Sequence, residues 1–127
     1  MMNREYFKTI FLIPKIPEFW PVEFAIITAN NPMDVKLPDQ ENDLRNQKLF
    51  DKIRDKVFLN IVGSSPDRTH QEHSFALTCS IQEAIQIGEE FEQRAVFYVR
   101  EGMLKLIECS SSKSQEMGSF EDRLLLG

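Results

Sequence analysis

The most constraining feature of this sequence is a nearly continuous apolar run from Val22 to Ala29, which contains two isoleucines. A strand that is apolar on both faces is typical of the middle of a sheet that is covered on both sides. Three prolines between positions 14 and 21 precede the run and exclude a helix or a central strand there. The run ends at Asn30-Asn31-Pro32, a strong turn signal. The sequence therefore predicts a central strand over residues 22–29.

Five further elements follow this strand, and their order restricts the fold. The patterns predict a helix at 39–56, strands at 58–62 and 75–79, a helix at 80–92 and a strand at 95–99. The resulting order, βαββαβ, is that of a ferredoxin-like α+β domain. Because strand-helix-strand crossovers are right-handed, both helices are expected on one face of a mainly antiparallel sheet. An N-terminal strand at 5–13 and a hairpin strand at 103–107 are expected to extend the sheet.

Apolar residues at helical spacing should bury one side of each helix. In the first helix the expected stripe consists of Leu44, Leu49, Phe50, Ile53 and Val57. The second helix should begin with a capping box formed by Ser80 and Glu83. Gly88 in its middle costs about 1 kcal/mol relative to alanine, and close packing on the sheet is the expected reason.

The length of 127 residues fits one domain, which we expect to occupy residues 1–109. A serine-rich stretch follows, so residues 110–127 are interpreted as a flexible linker and a short C-terminal tail. The first apolar run is too short for a signal peptide. Two cysteines, Cys79 and Cys109, are too few for a disulfide framework and are interpreted as free thiols. These features favour a cytoplasmic protein.

The charge balance argues against several classes of partner. The chain carries 15 Lys and Arg against 20 Asp and Glu, a net charge of −5. An acidic chain without a basic stripe is a poor binder of nucleic acid, and it is poorly suited to an anionic membrane surface. Gly63-Ser64-Ser65 matches neither of the glycine-rich phosphate loops. We therefore expect no cofactor, no nucleic-acid partner and no membrane partner, and the sequence leaves a protein partner undefined.

A first polar cluster consists of His70, Glu72 and His73. Histidine and a carboxylate at close spacing can bind a metal or transfer protons near neutral pH. In an extended chain, however, Glu72 shares a face with His70, while His73 points the other way. The segment also lacks the HExxH spacing and further ligands, so we expect no metal. Glu72 and His70 remain the candidates for catalysis.

A second polar cluster begins where the central strand ends, at Thr28 and Asn31, and continues at Asn42 and Asn46 on the next helix. Amide side chains either bind polar ligands or form hydrogen bonds that fix a loop to its own backbone. The second interpretation is favoured here. In an antiparallel sheet, the end of the central strand and the start of the strand after Glu72 lie at the same edge. We therefore expect Glu72 to accept hydrogen bonds from the Asn-rich loop.

The same residues carry a resemblance to a known family. Its most specific pieces are Thr28-Ala29-x-Asn31-Pro32, Glu72-x-Ser74-Phe75 and Gln93-x-Ala95. Over roughly residues 6–107 the chain resembles the bacterial family named domain of unknown function 3293. The resemblance implies a small cytosolic bacterial domain with a shared polar cluster. It implies no particular activity, substrate or cofactor.

Six polar residues are expected to form one cleft for a small polar ligand, namely Thr28, Asn31, Asn42, Glu72, Ser74 and Gln93. The cleft would lie between the segments 28–46 and 67–75. One alternative is a small hydrolase-like enzyme with Glu72 as general base and His70 as its partner. The other is an acidic protein-interaction or inhibitor module, which needs an exposed apolar patch or a free sheet edge. A deep cavity favours a ligand or an enzyme, and a flat acidic face favours the interaction module.

Overall fold

The structure is a computed structural model that describes residues 4–127. It contains two α-helices, α1 (Asp39–Ile53) and α2 (Ile81–Glu90). The eight strands are β1 (Ile10–Ile13), β2 (Glu23–Ile27), β3 (Phe58–Ser64), β4 (Gln71–Leu77), β5 (Ala95–Arg100), β6 (Met103–Glu108), β7 (Ser114–Ser119) and β8 (Leu124–Leu126). Short 3-10 helices cover Arg4–Lys8, Pro32–Asp34 and Glu121–Arg123. The fold is mixed α+β, as the order of the sequence patterns predicts.

All eight strands belong to one sheet, in the order β7-β6-β5-β2-β4-β3-β1-β8. Neighbouring strands are antiparallel except β1 and β8, which are parallel. Strand β2 pairs with β4 on one side and with β5 on the other. Its Phe24 and Ile26 pack on one face of the sheet, and its Ala25 and Ile27 pack on the opposite face. The two-sided burial predicted for this strand is confirmed.

The sheet curls strongly, as the contact between Phe11 on β1 and Phe97 on β5 shows. Four steps of the sheet separate these strands, which is about 19 Å in a flat sheet at roughly 4.8 Å per step. The centroids of the two rings are only 5.1 Å apart. The two strands therefore face each other across the inside of the curl, which we call the concave face.

Apolar residues cover both faces of the sheet. The larger members of the concave cluster are Phe11, Phe24, Ile26, Ile61, Leu104, Leu106, Met117 and Phe120. The opposite, convex face packs against Leu49 and Ile53 of α1 and against Ala84 and Ile87 of α2. Both helices therefore cover the same face, and the concave face is left to loops and chain ends. Within residues 4–127 no helix has the length and apolar character needed to cross a membrane.

Helix α1 buries a different stripe from the one that hydrophobicity predicts. Leu44, Phe50 and Val57 are 61%, 37% and 70% exposed, so the predicted stripe is wrong at these positions. The buried residues of the helix are Asn42, Asn46, Leu49 and Ile53. These four positions follow helical spacing. The N-terminal half of α1 thus faces a polar loop, and only its C-terminal half packs on the apolar sheet.

Helix α2 has the features that its sequence predicts. The Ser80 side chain accepts a hydrogen bond from the backbone of Glu83, and the Glu83 side chain accepts one from the backbone of Ser80, which is the predicted capping box. A Cβ atom added to Gly88 would lie 2.8 Å from Cys109 Sγ and 2.8 Å from Val96 Cγ1. Alanine therefore does not fit unless the helix or these two side chains shift, which confirms close packing as the reason for the glycine.

The C-terminal segment differs from its predicted character. Within residues 110–127, interpreted above as a flexible linker and tail, β7 pairs with β6 and β8 pairs with β1. Met117 and Phe120 pack into the concave cluster, and Arg123 Nη1 donates to the Phe7 carbonyl at 2.8 Å. A few well-placed apolar side chains hold a stretch that is flexible by composition alone, so the linker interpretation is wrong for the residues of β7 and β8.

The N-terminal segment also departs from its prediction. Residues 4–8 form a 3-10 helix, and only residues 10–13 of the predicted strand pair with the sheet. This turn carries Tyr6 over the concave face, where its ring meets that of Phe97 edge to face at 6.3 Å. The short strand therefore places an aromatic residue at the mouth of the curl.

Candidate ligand-binding cavity

A cavity of about 520 Å³ opens at the mouth of the concave face. Its apolar floor consists of Phe11, Ile26, Ala95 and Phe97. Its polar walls come from the loop after β2, the loop between β3 and β4, and the N-terminal 3-10 helix. The volume lies in the range of pockets that hold small molecules, and the mixture of an apolar floor with a few polar groups is typical of such pockets.

Glu72 is the central polar group of this cavity. Alternation along β4 places Glu72 and Ser74 on the concave face, and both line the cavity. Asn31 Nδ2 donates a hydrogen bond to Glu72 Oε1 at 3.0 Å, which confirms the predicted bond from the Asn-rich loop. His70 Nε2 lies 3.6 Å from the same oxygen. In the part of the chain that the structure describes, no hydrogen bond reaches Glu72 Oε2, so one carboxylate oxygen is available to a ligand.

Asn31 is itself fixed by a closed network behind the cavity wall. Its backbone has a φ of 48°, in the left-handed region that asparagine tolerates better than most residues. Its N–H donates to Asn42 Oδ1 at 2.9 Å, while Asn42 Nδ2 donates to Asn31 Oδ1 at 2.8 Å. The backbone N–H of Leu37 donates to that same Asn31 Oδ1 at 2.9 Å. With its acceptor oxygen occupied, the Asn31 amide presents its N–H to Glu72.

Asn46 ties the preceding part of the loop to the sheet. Its Oδ1 accepts from the backbone N–H of Ala29 at 2.9 Å, and its Nδ2 donates to Asn30 Oδ1 and, at 3.3 Å, to the His73 carbonyl. Thr28 Oγ1 donates to that carbonyl at 2.7 Å. The buried Asn46 therefore joins α1, the end of β2 and the middle of β4.

Gln93 closes the network from a third element. Its Nε2 donates to the Asn30 carbonyl at 3.0 Å and to the Phe91 carbonyl at 3.2 Å. Gln93 is nine-tenths buried and lines the cavity. The end of α2 and the loop after β2 are thereby held at a fixed separation, which fixes one wall of the cavity.

Five of the six predicted site residues line one cavity, namely Thr28, Asn31, Glu72, Ser74 and Gln93. The sixth, Asn42, lies behind Asn31 and supports it. His70 lines the rim, whereas His73 points to the other face, where its Nε2 lies 3.0 Å from Asn60 Oδ1. The predicted divergence of the two histidines is confirmed. Within residues 4–127, no three His, Cys, Asp or Glu side chains are arranged to hold a metal ion.

Two side chains of the cavity, Glu72 and Tyr6, have raised pKa values. Burial raises the pKa of Glu72, and the hydrogen bond from Asn31 and the charge of His70 oppose this shift. Burial and the hydrogen bond to Asp34 raise the pKa of Tyr6 far above its usual range, so its hydroxyl stays protonated and donates to Asp34. Asp34 also pairs with Arg94, whose Nε lies 2.9 Å from Asp34 Oδ2. The rim therefore combines an occupied carboxylate at Asp34 with a partly free one at Glu72.

The residues that sequence reasoning missed are Tyr6, Asp34, Phe97 and Gly63. Gly63 lies on β3 directly opposite Glu72 and lines the cavity. A Cβ atom added there would come no closer than 3.9 Å to Ser74 Oγ and Thr9 Cγ2, so packing does not require the glycine. A glycine inside a strand weakens it and often marks a place where a ligand approaches the backbone. Its position after the apolar run 58–62 is the signal that could have found it.

Comparisons with known proteins place these residues in a family. No curated protein and no solved structure matches the sequence. A family model matches residues 27–96, more than half of the chain, and this stretch contains Thr28, Asn31, Glu72 and Gln93. The chain therefore belongs to the family described as Protein of unknown function (DUF3293), in agreement with its resemblance.

Proposed function

We propose that this protein binds a small polar ligand in the cavity between the loop after β2 and the β3–β4 loop. The observation that carries the proposal is Glu72, whose carboxylate is held by Asn31 at 3.0 Å on one oxygen while the other oxygen has no partner within residues 4–127. A polar group fixed in this way beside an apolar floor can orient a ligand. Thr28, Ser74 and Gln93 supply further hydroxyl and amide groups around it.

The rigidity of the wall supports this proposal. Asn31, Asn42, Asn46 and Gln93 use their side chains to fix the loop backbone. A site that is ordered before the ligand arrives loses less conformational entropy on binding. The network thus favours a preformed site over one that the ligand would have to assemble.

Native mass spectrometry tests the proposal with an occlusion variant. Gly63→Leu extends a side chain into the cavity from a strand position with room for its Cβ. After incubation with a small-molecule cell extract, the wild type should carry a bound compound that the variant lacks. Identical bound masses on both proteins, or none on either, would overturn the proposal. Gly63→Val serves as a second occlusion variant, and thermal unfolding verifies that both variants fold.

A hydrolase-like enzyme is the second candidate. The raised pKa of Glu72 supports it, because a general base is most effective when its pKa approaches the working pH. His70, 3.6 Å from Glu72 Oε1, is its partner in this scheme. Turnover of chromogenic ester or amide substrates that Glu72→Gln abolishes would support the enzyme, and wild-type turnover equal to that of the Gln variant would exclude this role.

We also propose that the domain has a ferredoxin-like core and that the protein is located in a bacterial cytoplasm. The strand order β5-β2-β4-β3 with antiparallel pairing, and the packing of both helices on one face, support a ferredoxin-like core. Cys79 and Cys109 are free thiols, and burial raises the pKa of each to about 11. Unpaired, unreactive thiols are consistent with a reducing compartment such as a bacterial cytoplasm.

A further inference from the structure

We infer that the ligand is a small organic cation, a protonated amine on an apolar body, whose ammonium group contacts Glu72. This inference rests on the proposed function, because it names the chemical class that the same cavity accepts. Three independent features of the cavity carry it: the balance of charge on its walls, the apolar character of its floor and the glycine opposite Glu72.

The charge balance on the walls favours a positive ligand. Four carboxylates line the cavity, at Glu5, Asp34, Asp67 and Glu72, against one lysine, Lys36. Two of these carboxylates already have cationic partners. Asp34 pairs with Arg94 at 2.9 Å, and Glu5 pairs with Lys8 at 3.6 Å. His70, 3.6 Å from Glu72 Oε1, also lines the cavity and is a cation only when protonated. Within residues 4–127 neither Glu72 nor Asp67 forms an ion pair with a lysine or an arginine, so the walls keep an excess of negative charge while His70 is neutral.

Asp67 keeps its charge across the physiological range. Hydrogen bonds from Ser65 and Thr69 lower the pKa of Asp67 to about 2. Glu72 differs, because burial disfavours its charged form. A cation placed beside Glu72 compensates for that loss of hydration, whereas an anion there would add to the repulsion. The cavity therefore discriminates between ligand charges at Glu72 in particular.

The floor of the cavity favours a ligand with an apolar body. Phe11, Ile26, Ala95 and Phe97 form it, and the rings of Phe11 and Phe97 meet edge to face at 5.1 Å. An inorganic cation would leave this apolar surface uncovered and would need several oxygen ligands at once. An aliphatic or aromatic group bound there removes apolar surface from water, which is worth roughly 25 cal/mol per Å².

Gly63 provides the space beside the carboxylate. It pairs with Glu72 across β3 and β4, and it has neither a positive φ nor a close neighbour that would demand glycine. A larger side chain at this position would take up space in the cavity that Gly63 and Glu72 both line. The glycine therefore leaves space for a ligand in the cavity that Glu72 and Phe97 also line.

Isothermal titration calorimetry with three probes of similar size and different charge tests the inference. The probes are phenethylamine, 2-phenylethanol and 3-phenylpropanoate. The wild type should bind the amine at least tenfold more tightly than the alcohol, and it should not bind the carboxylate measurably. Glu72→Gln, which keeps an acceptor oxygen for Asn31, should reduce the affinity for the amine to that for the alcohol. The matched control is Glu41→Gln, an exposed position on α1, and it should bind as the wild type does.

Each remaining outcome contradicts the inference in a different way. Tighter binding of the alcohol or the carboxylate, abolished by Gly63→Leu, would overturn the cationic class and leave the proposed cavity intact. Equal affinity of the wild type and Glu72→Gln for the amine would remove Glu72 as the contact. Absence of binding by all three probes would also overturn the inference, and the proposed function would then depend on the extract experiment alone.

Discussion

Asn31 Nδ2 and Glu72 Oε1 form a hydrogen bond of 3.0 Å that joins two residues 41 positions apart in the sequence. Asn31 belongs to the loop after β2, and Glu72 belongs to β4, the strand that lies beside β2 in the sheet. The bond therefore links a fixed loop to a strand at the point where the cavity opens. It holds one oxygen of the Glu72 carboxylate, and within residues 4–127 no hydrogen bond reaches the other oxygen of this cavity-lining residue.

Truncation of Glu72 should destabilise the protein, because Glu72→Ala leaves the Asn31 amide without its acceptor. We expect a loss of about 1–3 kcal/mol in the free energy of unfolding, near the lower end because the site is partly open to water. Glu72→Gln keeps an acceptor oxygen and should lose clearly less. Urea denaturation measures both variants, with the exposed Glu41→Ala as a control. Equal losses for the Ala and Gln variants would show that this hydrogen bond does not stabilise the fold.

The direction in which the pKa of Glu72 is shifted can be measured. Burial raises its pKa, so carbon-13 NMR of its carboxyl group should give a midpoint above the usual value for glutamate, about 4.3. Asn31→Gly removes a hydrogen bond that lowers this pKa and accepts the positive φ, so it should move the midpoint further upward. A midpoint at or below the usual value would contradict the burial of this carboxyl.

The same shift predicts how stability depends on pH. A carboxyl group whose pKa is raised in the folded state contributes stability that is fully present below its unfolded pKa. That contribution is lost as the pH rises through the folded value. Relative to Glu72→Gln, the wild type should therefore lose unfolding free energy as the pH rises from about 4.3. Urea denaturation of both proteins at several pH values gives this difference directly.

Asn46 should be among the most sensitive polar positions of the fold. Asn46→Ala leaves the backbone N–H of Ala29 and the side chain of Asn30 without their partners, and both Asn46 and Ala29 are buried. The expected loss is about 2–3 kcal/mol in unfolding free energy. Gln47→Ala, one position along on the exposed side of α1, should change stability by less than about 0.5 kcal/mol. Similar effects at the two positions would contradict the structural role of Asn46.

Replacement of Gly63 by alanine should stabilise the protein. Gly63→Ala adds a Cβ with no neighbour closer than 3.9 Å, so it should raise the unfolding free energy by about 0.5–1 kcal/mol. The same substitution at Gly102, where φ is +79°, should lower it, although there is open space around that residue too. Thermal unfolding of the two variants provides the comparison. A loss of stability in Gly63→Ala would mean that the strand itself requires the glycine.

The central part of the fold could be predicted because local patterns specify it. The apolar run of β2 and the capping box before α2 identify their elements without reference to the rest of the chain. The stripe of α1 could not be predicted in this way. Asn42 and Asn46 are buried because their partners lie in a distant loop, and hydrophobicity alone assigns such residues to the surface.

The candidate site was predictable in its polar half only. Antiparallel pairing brings Asn31 and Glu72 to one edge, and alternation along β4 separates His70 from His73. The floor of the cavity depends on the curl of the sheet, which brings Phe97 against Phe11 across four steps of the strand order. That curl is a property of the whole sheet and of the chain ends that pack inside it, so no local sequence pattern predicts it.

Amide NMR during a screen of small polar fragments tests the central claim most directly. If the cavity is the ligand site, fragments that bind should shift the amide signals of Gly63, Ser74 and Asn31 more than those of other residues. These shifts should disappear in Gly63→Leu. Fragments that instead shift only residues around His73 and Asn60 on the opposite face, or that bind Gly63→Leu as well as the wild type, would contradict the account.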